Sequence, residues 1–442
     1  MKAVVLLIGY EFLYDMDKRR RIVVIGGGFA GMNFVKRIDK TRYAVTLVDC
    51  NNYHSFPPLF YQIASSGLEP DSICFPFRRE LHRGKAHGAE FHLGCVEWID
   101  AQSRKVKTQF ETIDYDILVI AAGTTNNFFG NDDLIKKVYT LKSTAQAMRC
   151  RDEILDRLER AAICDDIERR RKLLSFTVVG GGPAGVEIAG ALGEMKRYIL
   201  HRNYPTIPPE DVTITLIEGS DTLLGAMGEK SQADALKYLR ELMVDVRFGL
   251  QVRNYSDNMV SLSDGTDFYS GMVIWTAGIA GVDLEFRNAG FKPVRGRRIA
   301  VDRFNRVIGL GSDGVYAIGD IAMMAAPGYP DGHPQLAQVA IQQGRLLAHN
   351  LNSGSAFIEF SYHDKGTMAT IGRNRAVADI RHMHLSGFVA WLVWMFVHLI
   401  SILGMRNKIS VLIDWTWNYF SYSTSLRLLL NPSRFPLKNR KE

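Results

Sequence analysis

The stretch Arg21-Ile22-Val23-Val24-Ile25-Gly26-Gly27-Gly28-Phe29-Ala30-Gly31 joins an apolar run to closely spaced glycines, a junction that few folds accept. Residues 21–25 read as a buried strand, and residues 32–38 can continue as a helix after the turn. Gly26 permits the tight turn and Gly28 lets backbone approach a diphosphate. Gly31, beside Ala30, lets the helix pack close to its strand. The free amides at the helix start then face the anion. Such a motif is weak alone. It gains weight from an acid about 20 residues on, at the end of a second strand. Residues 43–48 supply that strand, and Asp49 is placed to accept from a ribose hydroxyl.

The junction recurs. Residues 176–185 carry Gly180, Gly182 and Gly185, followed by a strand at 212–217 and Glu218. Buried runs ending on small residues follow each unit, at Ala122-Gly123 and at Ala277-Gly278, so the duplication extends beyond the glycine turns. Residues 314–320 make one more strand, ending on Gly319 and Asp320. The pattern predicts an α/β chain with two Rossmann-like dinucleotide-binding domains. Residues 16–135 and 288–385 would form the first and 136–287 the second, with an extension at 1–15 and a separate segment at 386–442.

Other elements are read more coarsely. Residues 51–62 are rich in turn formers and aromatics and read as a loop. Strands are expected at 90–97 and 105–107. A charged helical stretch covers 143–174, and its basic run Arg169-Arg170-Arg171-Lys172 reads as a solvated face. A helix over 334–351 would place Gln335, Gln338 and Gln342 on one face. Spacing alone leaves surface solvation and function equally open for them.

A formal charge of +7 could serve nucleic acid, an anionic membrane or anionic cofactors, so its placement decides. The most apolar run, 388–403, lies between Gly387 and Gly404 and falls short of the roughly 20 residues a membrane-crossing helix needs. Trp415, Trp417, Tyr419 and Tyr422 follow, residues that favour the headgroup layer. From 405 on, seven basic residues (Arg406, Lys408, Arg427, Arg434, Lys438, Arg440, Lys441) face Asp414 and Glu442. An interfacial anchor on anionic lipid is therefore expected, and no nucleic-acid partner. A true span and a buried or dimerising helix are the alternatives. The five cysteines, Cys50, Cys74, Cys95, Cys150 and Cys164, show neither CxxC nor metal-ligand spacing, so no metal site and no disulfide framework is expected. A reducing compartment follows from that, and residues 1–15 make a poor signal peptide.

Taken together, the two glycine units, the loop starting NNYHSFPPLFYQ at Asn51, the segment AQVAIQ at Ala337, the segment KGTMATIGR at Lys365 and the tail HLISILGMRNKISVLIDW at His398 resemble the type II NADH:quinone oxidoreductases. The resemblance runs from about Arg19 to Pro432. It implies non-covalent FAD in the first unit, with Gly26, Gly28 and Gly31 at its diphosphate and Asp49 at its ribose. Asp320 would lie near its ribityl end, and Ala30, Val96, Ala122, Gly123 and Gly319 around it. The second unit would take NADH as substrate through Gly180, Gly182, Gly185, Glu218, Ala277 and Gly278. Independently, Glu218 would repel the 2′-phosphate of NADPH.

The resemblance also implies that Gln338 and Gln342 stand at a quinone pocket, where an amide can serve both quinone and quinol oxygens. Glu187, in the first turn after the second glycine loop, would act near nicotinamide and quinone, although an acid there is also what the helix dipole favours. His54, Lys365 and Arg373 acquire no role. The implied activity is hydride transfer from NADH to FAD and two-electron reduction of ubiquinone or menaquinone, without proton pumping. Its expected place is the cytoplasmic face of a bacterial inner membrane, peripherally bound, with a matrix face as the alternative and a homodimer through the C-terminal region as one arrangement open to it. Rival readings are a sulfide:quinone or soluble-acceptor reductase and a flavin-bearing NADH-sensing scaffold. The first needs paired cysteines by the flavin, and the last predicts a long-lived NADH complex with little turnover.

Overall fold

The computed structural model describes residues 19–421 apart from 84–85, 288–290, 311–312, 355 and 382, together with 428–429. The expected extension 1–15 and the basic residues Arg427, Arg434, Lys438, Arg440 and Lys441 lie outside them, as does Tyr422.

Two compact units are each gathered from three segments: residues up to 54, 75–125 and 279–364 in the first, and 55–74, 126–278 and 365 onward in the second. The domain limits read from sequence at 135/136 and 287/288 therefore fall at 125/126 and 278/279. Residues 55–74 and 365–385, expected with the first domain, belong to the second unit. Packing explains this, because Phe60–Ala64 lies on Thr144–Ala162 and Thr367–Thr370 lies on Pro183–Glu194.

Along the chain, β1 (Arg20–Ile25) feeds α1 (Phe29–Val35), and β2 (Tyr43–Asp49) lies parallel to β1. The stretch expected as a loop contains a short strand at Tyr53–Ser55, a 3₁₀ turn at Pro57–Leu59 and α2 (Phe60–Ala64). Its buried Leu59, Phe60 and Ile63 outweigh the turn-forming prolines. The strand expected at 90–97 divides into β3 (Ala89–Leu93) and a separate strand at Val96–Asp100, and β4 (Ile117–Ile120) returns to β1.

In the second unit come β5 (Tyr139–Thr140), α3 (Thr144–Ala162) and α4 (Ile167–Leu173). The single helix expected over 143–174 breaks at 163–166. There the Asp166 carboxylate accepts the Glu168 and Arg169 N–H groups and starts α4 afresh. Next are β6 (Ser175–Val179), α5 (Pro183–Glu194), β7 (Thr213–Ile217), α6 (Glu229–Glu241), β8 (Asp245–Arg247) and β9 (Met272–Trp275). The chain then gives the first unit β10 (Val315–Ala317) and α7 (Ala337–Ser353). It gives the second β11 (Thr367–Thr370), β12 (Ala376–Ile380), β13 (Met383–Ser386), α8 (Gly387–Ser401) and α9 (Met405–Ser421). Gln335 precedes α7, so only Gln338 and Gln342 of the expected trio share that helix.

The duplication is topological. The first sheet runs β10-β4-β1-β2-β3 and the second β5-β9-β6-β7-β8, every pair parallel. Parallel strands covered on both faces need continuous apolar runs rather than alternation, which is what residues 22–25, 117–120 and 272–275 supply. Apolar clusters lie on both faces of the first sheet, one of them closed by α1 and α7.

Candidate active site

Each sheet presents its glycine turn at the carboxyl end of its first strand. Gly26 takes φ +97° and Gly180 φ +106°, a region costly for any side chain. A Cβ on Gly31 would run into the Gly26 carbonyl, and one on Gly185 into the Gly180 carbonyl, so helix and turn meet only as glycines. Gly28 and Gly182 have open space around them. Two glycine turns with room for an anion fit a dinucleotide diphosphate.

The two acids have a further job. One Asp49 oxygen accepts the Gly27 N–H at 2.7 Å and the other accepts the Asn51 N–H at 2.8 Å. Glu218 repeats this, with one oxygen accepting the Gly181 N–H at 2.5 Å and the other accepting Ser220 N–H and O–H. Burial pushes the Asp49 carboxyl up, against the pull of these N–H donors. Each acid thus braces its own turn.

His54 braces the same turn from the other side. Its Nδ1 donates to the Gly27 carbonyl at 2.8 Å, and Phe29 packs edge-on against its ring. Burial lowers its pKa to about 4, so the ring is neutral at pH 7. The Phe77 ring fills the space a Cβ on Gly27 would need.

Around the first turn, Ala122 and Gly123 follow β4, and Val96 opens its strand half-buried. Gly319 takes φ +74° against Ala30 and Ala340, and its N–H is held at 2.7 Å by Gln343 Oε1. Gln343 is 1% exposed and went unremarked in the sequence, where its neighbours Gln338 and Gln342 drew notice by spacing. The Asp320 carbonyl accepts from Gln335 Nε2 at 2.9 Å. Gln342 exchanges two hydrogen bonds with the backbone of His363, and Gln338 Nε2 donates to Asp364 at 3.2 Å. The two glutamines thus hold the 363–364 segment, a positioning task that sequence spacing did not reveal. In the second unit, Ala277 lies against Gly180, and the Gly278 carbonyl accepts the Asn127 N–H at 3.2 Å.

Glu187 lies just past the first turn of α5, where the helix dipole that favours an acid is already fading, and it is 7% exposed. Burial drives its carboxyl well above the usual range, opposed by the Thr370 backbone. The Trp394 indole N–H points toward it without closing a hydrogen bond of normal geometry.

The cysteine expectation needs correction. Cys50 and Cys95 are joined in a disulfide, with Cα atoms 4.6 Å apart. They follow β2 and β3, whose parallel register pairs Asp49 with Leu93, so neighbouring strand ends bring together residues 45 apart in sequence. Cys74, Cys150 and Cys164 are free thiols, and the described residues contain no metal-binding cluster.

Helix α8 turns Ala390 and Trp394 inward and leaves Phe388, Val389, Leu392, Phe396 and Ile400 exposed. On α9, Val411 and Trp415 are buried while Ile409, Ile413, Trp417 and Phe420 are exposed. This helix is fastened to residues 62–74: Trp415 Nε1 donates to Gln62 Oε1 at 2.8 Å, Asn407 Nδ2 to the Cys74 carbonyl at 3.0 Å, and Asn418 Nδ2 to the Gly67 carbonyl at 3.0 Å. Among the described residues no helix is long and apolar enough to cross a membrane.

Residues 20–344 match the pyridine nucleotide-disulphide oxidoreductase family, and residues 364–421 match the NDH2 C-terminal domain. The chain is 33% identical over 425 residues to the type II NADH:quinone oxidoreductase Ndh of Mycobacterium tuberculosis, covering 91% of this chain and 89% of that protein. It belongs to the type II NADH:quinone oxidoreductases. This oxidoreductase is also 30% identical to an internal alternative NAD(P)H-ubiquinone oxidoreductase of Solanum tuberosum mitochondria, covering 90% and 86% of the two chains. Its fold matches NDH2 of Plasmodium falciparum, solved with NADH, at a TM-score of 0.85 and 21% identity, covering 93% and 100% of the two chains.

Proposed function

We propose that this type II oxidoreductase takes electrons from NADH through a non-covalently held FAD and reduces a membrane quinone, without pumping protons. The observation that carries the reading is the pair of braced glycine cradles in one chain, together with the exposed apolar faces of α8 and α9.

In this reading the first cradle holds FAD, which when bound supplies the hydride-accepting and electron-passing chemistry. Gly26, Gly28, Ala30 and Gly31 take its diphosphate, Asp49 a ribose hydroxyl, and Val96, Ala122, Gly123, Gly319 and Asp320 line its remainder. Gly180, Gly182, Gly185, Glu218, Ala277 and Gly278 hold NADH, and the Glu218 charge disfavours a 2′-phosphate. Glu187, whose carboxyl burial drives up, supplies a proton. Gln338 and Gln342 shape the acceptor side by holding residues 363–364.

The exposed faces of α8 and α9 dip into an anionic bilayer, with Arg406 and Lys408 beside the headgroups. The site of action is the cytoplasmic face of a bacterial inner membrane, with ubiquinone or menaquinone as acceptor and a homodimer formed through the C-terminal region. A sulfide:quinone reading fits less well, because the one cysteine pair follows Asp49 directly, at the ribose end of the cradle.

The test is to assay NADH oxidation by FAD-replete protein with a short-chain quinone. Turnover with a clear preference for NADH over NADPH is expected; a stable NADH complex that leaves quinone unreduced would favour the scaffold reading and overturn this one.

A further inference from the structure

Quinone reduction makes no use of Cys50 and Cys95, yet both border residues assigned to the flavin. Cys50 directly follows Asp49 at the end of β2, and Cys95 lies between the end of β3 and Val96. Both cysteines are exposed, and both belong to the first unit.

The backbone brings the two sulfurs together without help from the bond between them. The register that pairs Asp49 with Leu93 is carried one residue further by the Gly94 N–H, which donates to the Asp49 carbonyl at 2.9 Å. The Cys95 N–H donates to Gln109 Oε1 at 2.7 Å. A Cβ on Gly94 would crowd the buried Thr108, so glycine lets the chain leave β3 close against the strand Lys105–Thr108. On the other side, the Asn51 N–H donates to Asp49 Oδ1 at 2.8 Å and fixes the turn that carries Cys50. The Cα atoms end 4.6 Å apart, within the span a disulfide bridges. Thiols held this way stay neighbours when the bond is open, so it can close again with little movement.

An exposed disulfide is open to attack by small thiols. On the cytoplasmic face of a membrane, where thiols are kept reduced, a cysteine pair that closes is usually transient or redox-sensing rather than a permanent strut. Two of the other cysteines are poor competitors for such exchange: burial pushes the Cys150 and Cys74 thiols up, away from the reactive thiolate. Cys164 lies in the second unit.

We propose that Cys50 and Cys95 form a reversible thiol–disulfide site for small thiol–disulfide couples such as glutathione, and that the closed bond clamps the ribose end of the flavin cradle. The proposal rests on the seat given to FAD in the first cradle. Closing takes a small disulfide as oxidant. One cysteine thiolate attacks it, forms a mixed disulfide and releases the first small thiol; the other cysteine thiolate then displaces the second. One S–S bond breaks in the reagent and one forms in the protein. The two cysteine protons end on the two small thiols, and the two electrons reduce the reagent. Opening is the reverse. With the bond closed, residues 50 and 95 keep the neighbouring Asp49 and Val96 in place; with it open, these strand ends part more readily.

The test equilibrates the FAD-bound protein anaerobically in buffers running from reduced to oxidised glutathione, alkylates the free thiols and maps the Cys50–Cys95 cross-link by mass spectrometry. One two-electron transition is expected within that range, and flavin release on dilution should be about fivefold faster with the bond open. Cys50→Ser and Cys95→Ser should release FAD at the open-state rate in every buffer, whereas Cys164→Ser should keep the transition. Both bonded positions are exposed, so the serine variants should melt close to the reduced parent. A pair closed in every buffer, a pair open in every buffer, or a transition that leaves flavin release unchanged overturns the proposal. A protein that holds no FAD in either redox state overturns the flavin assignment itself, an outcome told apart by the absence of bound flavin at the start.

Discussion

At single residues, the two bracing acids do work that a ribose contact alone would not require. Glu218→Gln would keep a shape that can accept the Gly181 N–H but lose its charge. Weakening a charge-assisted bond of about 1.5–3 kcal/mol should raise the KM for NADH roughly tenfold or more and narrow the preference over NADPH. Steady-state kinetics with both nucleotides would check this. Gln343→Leu should leave the Gly319 N–H buried without an acceptor, at about 1–3 kcal/mol. It should speed FAD loss, measured by the flavin released on dilution.

His54 gives a pH dependence with a definite sign. Its folded pKa of about 4 lies below the ordinary imidazole value, so the unfolded chain binds a proton first as pH falls. Its contribution is complete above about pH 6.5 and drains away toward pH 4, by roughly 3 kcal/mol at most. Melting temperature followed over that window should fall, and His54→Gln, which can still donate to the Gly27 carbonyl, should flatten the slope.

At the level of elements, the repeated strand-turn-helix units were legible because their signal is local. An apolar run, glycines at fixed offsets and an acid one strand later all arise from one βαβ unit. What escaped was set by partners remote in sequence. Cys50 meets Cys95 through strand register, Gln343 is chosen over Gln342 by the face α7 turns to Gly319, and α2 forms because Phe60 and Ile63 are buried. The α3/α4 break was visible in principle, since Asp165-Asp166 interrupts the charged helical stretch with a capping residue. The exposed face of α8 invites a direct experiment. Leu392→Glu with Phe396→Glu removes two side chains worth about 1.5–3 kcal/mol each in an apolar medium. Partition onto anionic vesicles should fall at least ~10²-fold by co-sedimentation, with the melting temperature little changed because both positions are exposed.

For the whole molecule, cutting the chain before residue 386 would be a poor way to make a soluble enzyme. Trp394, Val411 and Trp415 are buried, and α9 is hydrogen-bonded to the loop at 62–74. Deleting 386–442 should lower the melting temperature sharply and cost activity with every acceptor, whereas the paired glutamates on α8 should not. Thermal melts of the two variants side by side would separate lipid contact from internal support.

Neither unit is a continuous stretch of chain. The first sheet waits for β10, at residues 315–317, and the second unit waits for α8, whose Trp394 packs on Tyr61, and for α9, whose Trp415 bonds Gln62. Synthesis runs from the amino end, so the first cradle emerges long before its sheet is finished, whereas the second sheet is complete by residue 275 and the greasy helices leave the ribosome late. A nascent chain stalled before residue 315 should therefore remain protease-sensitive in its first unit.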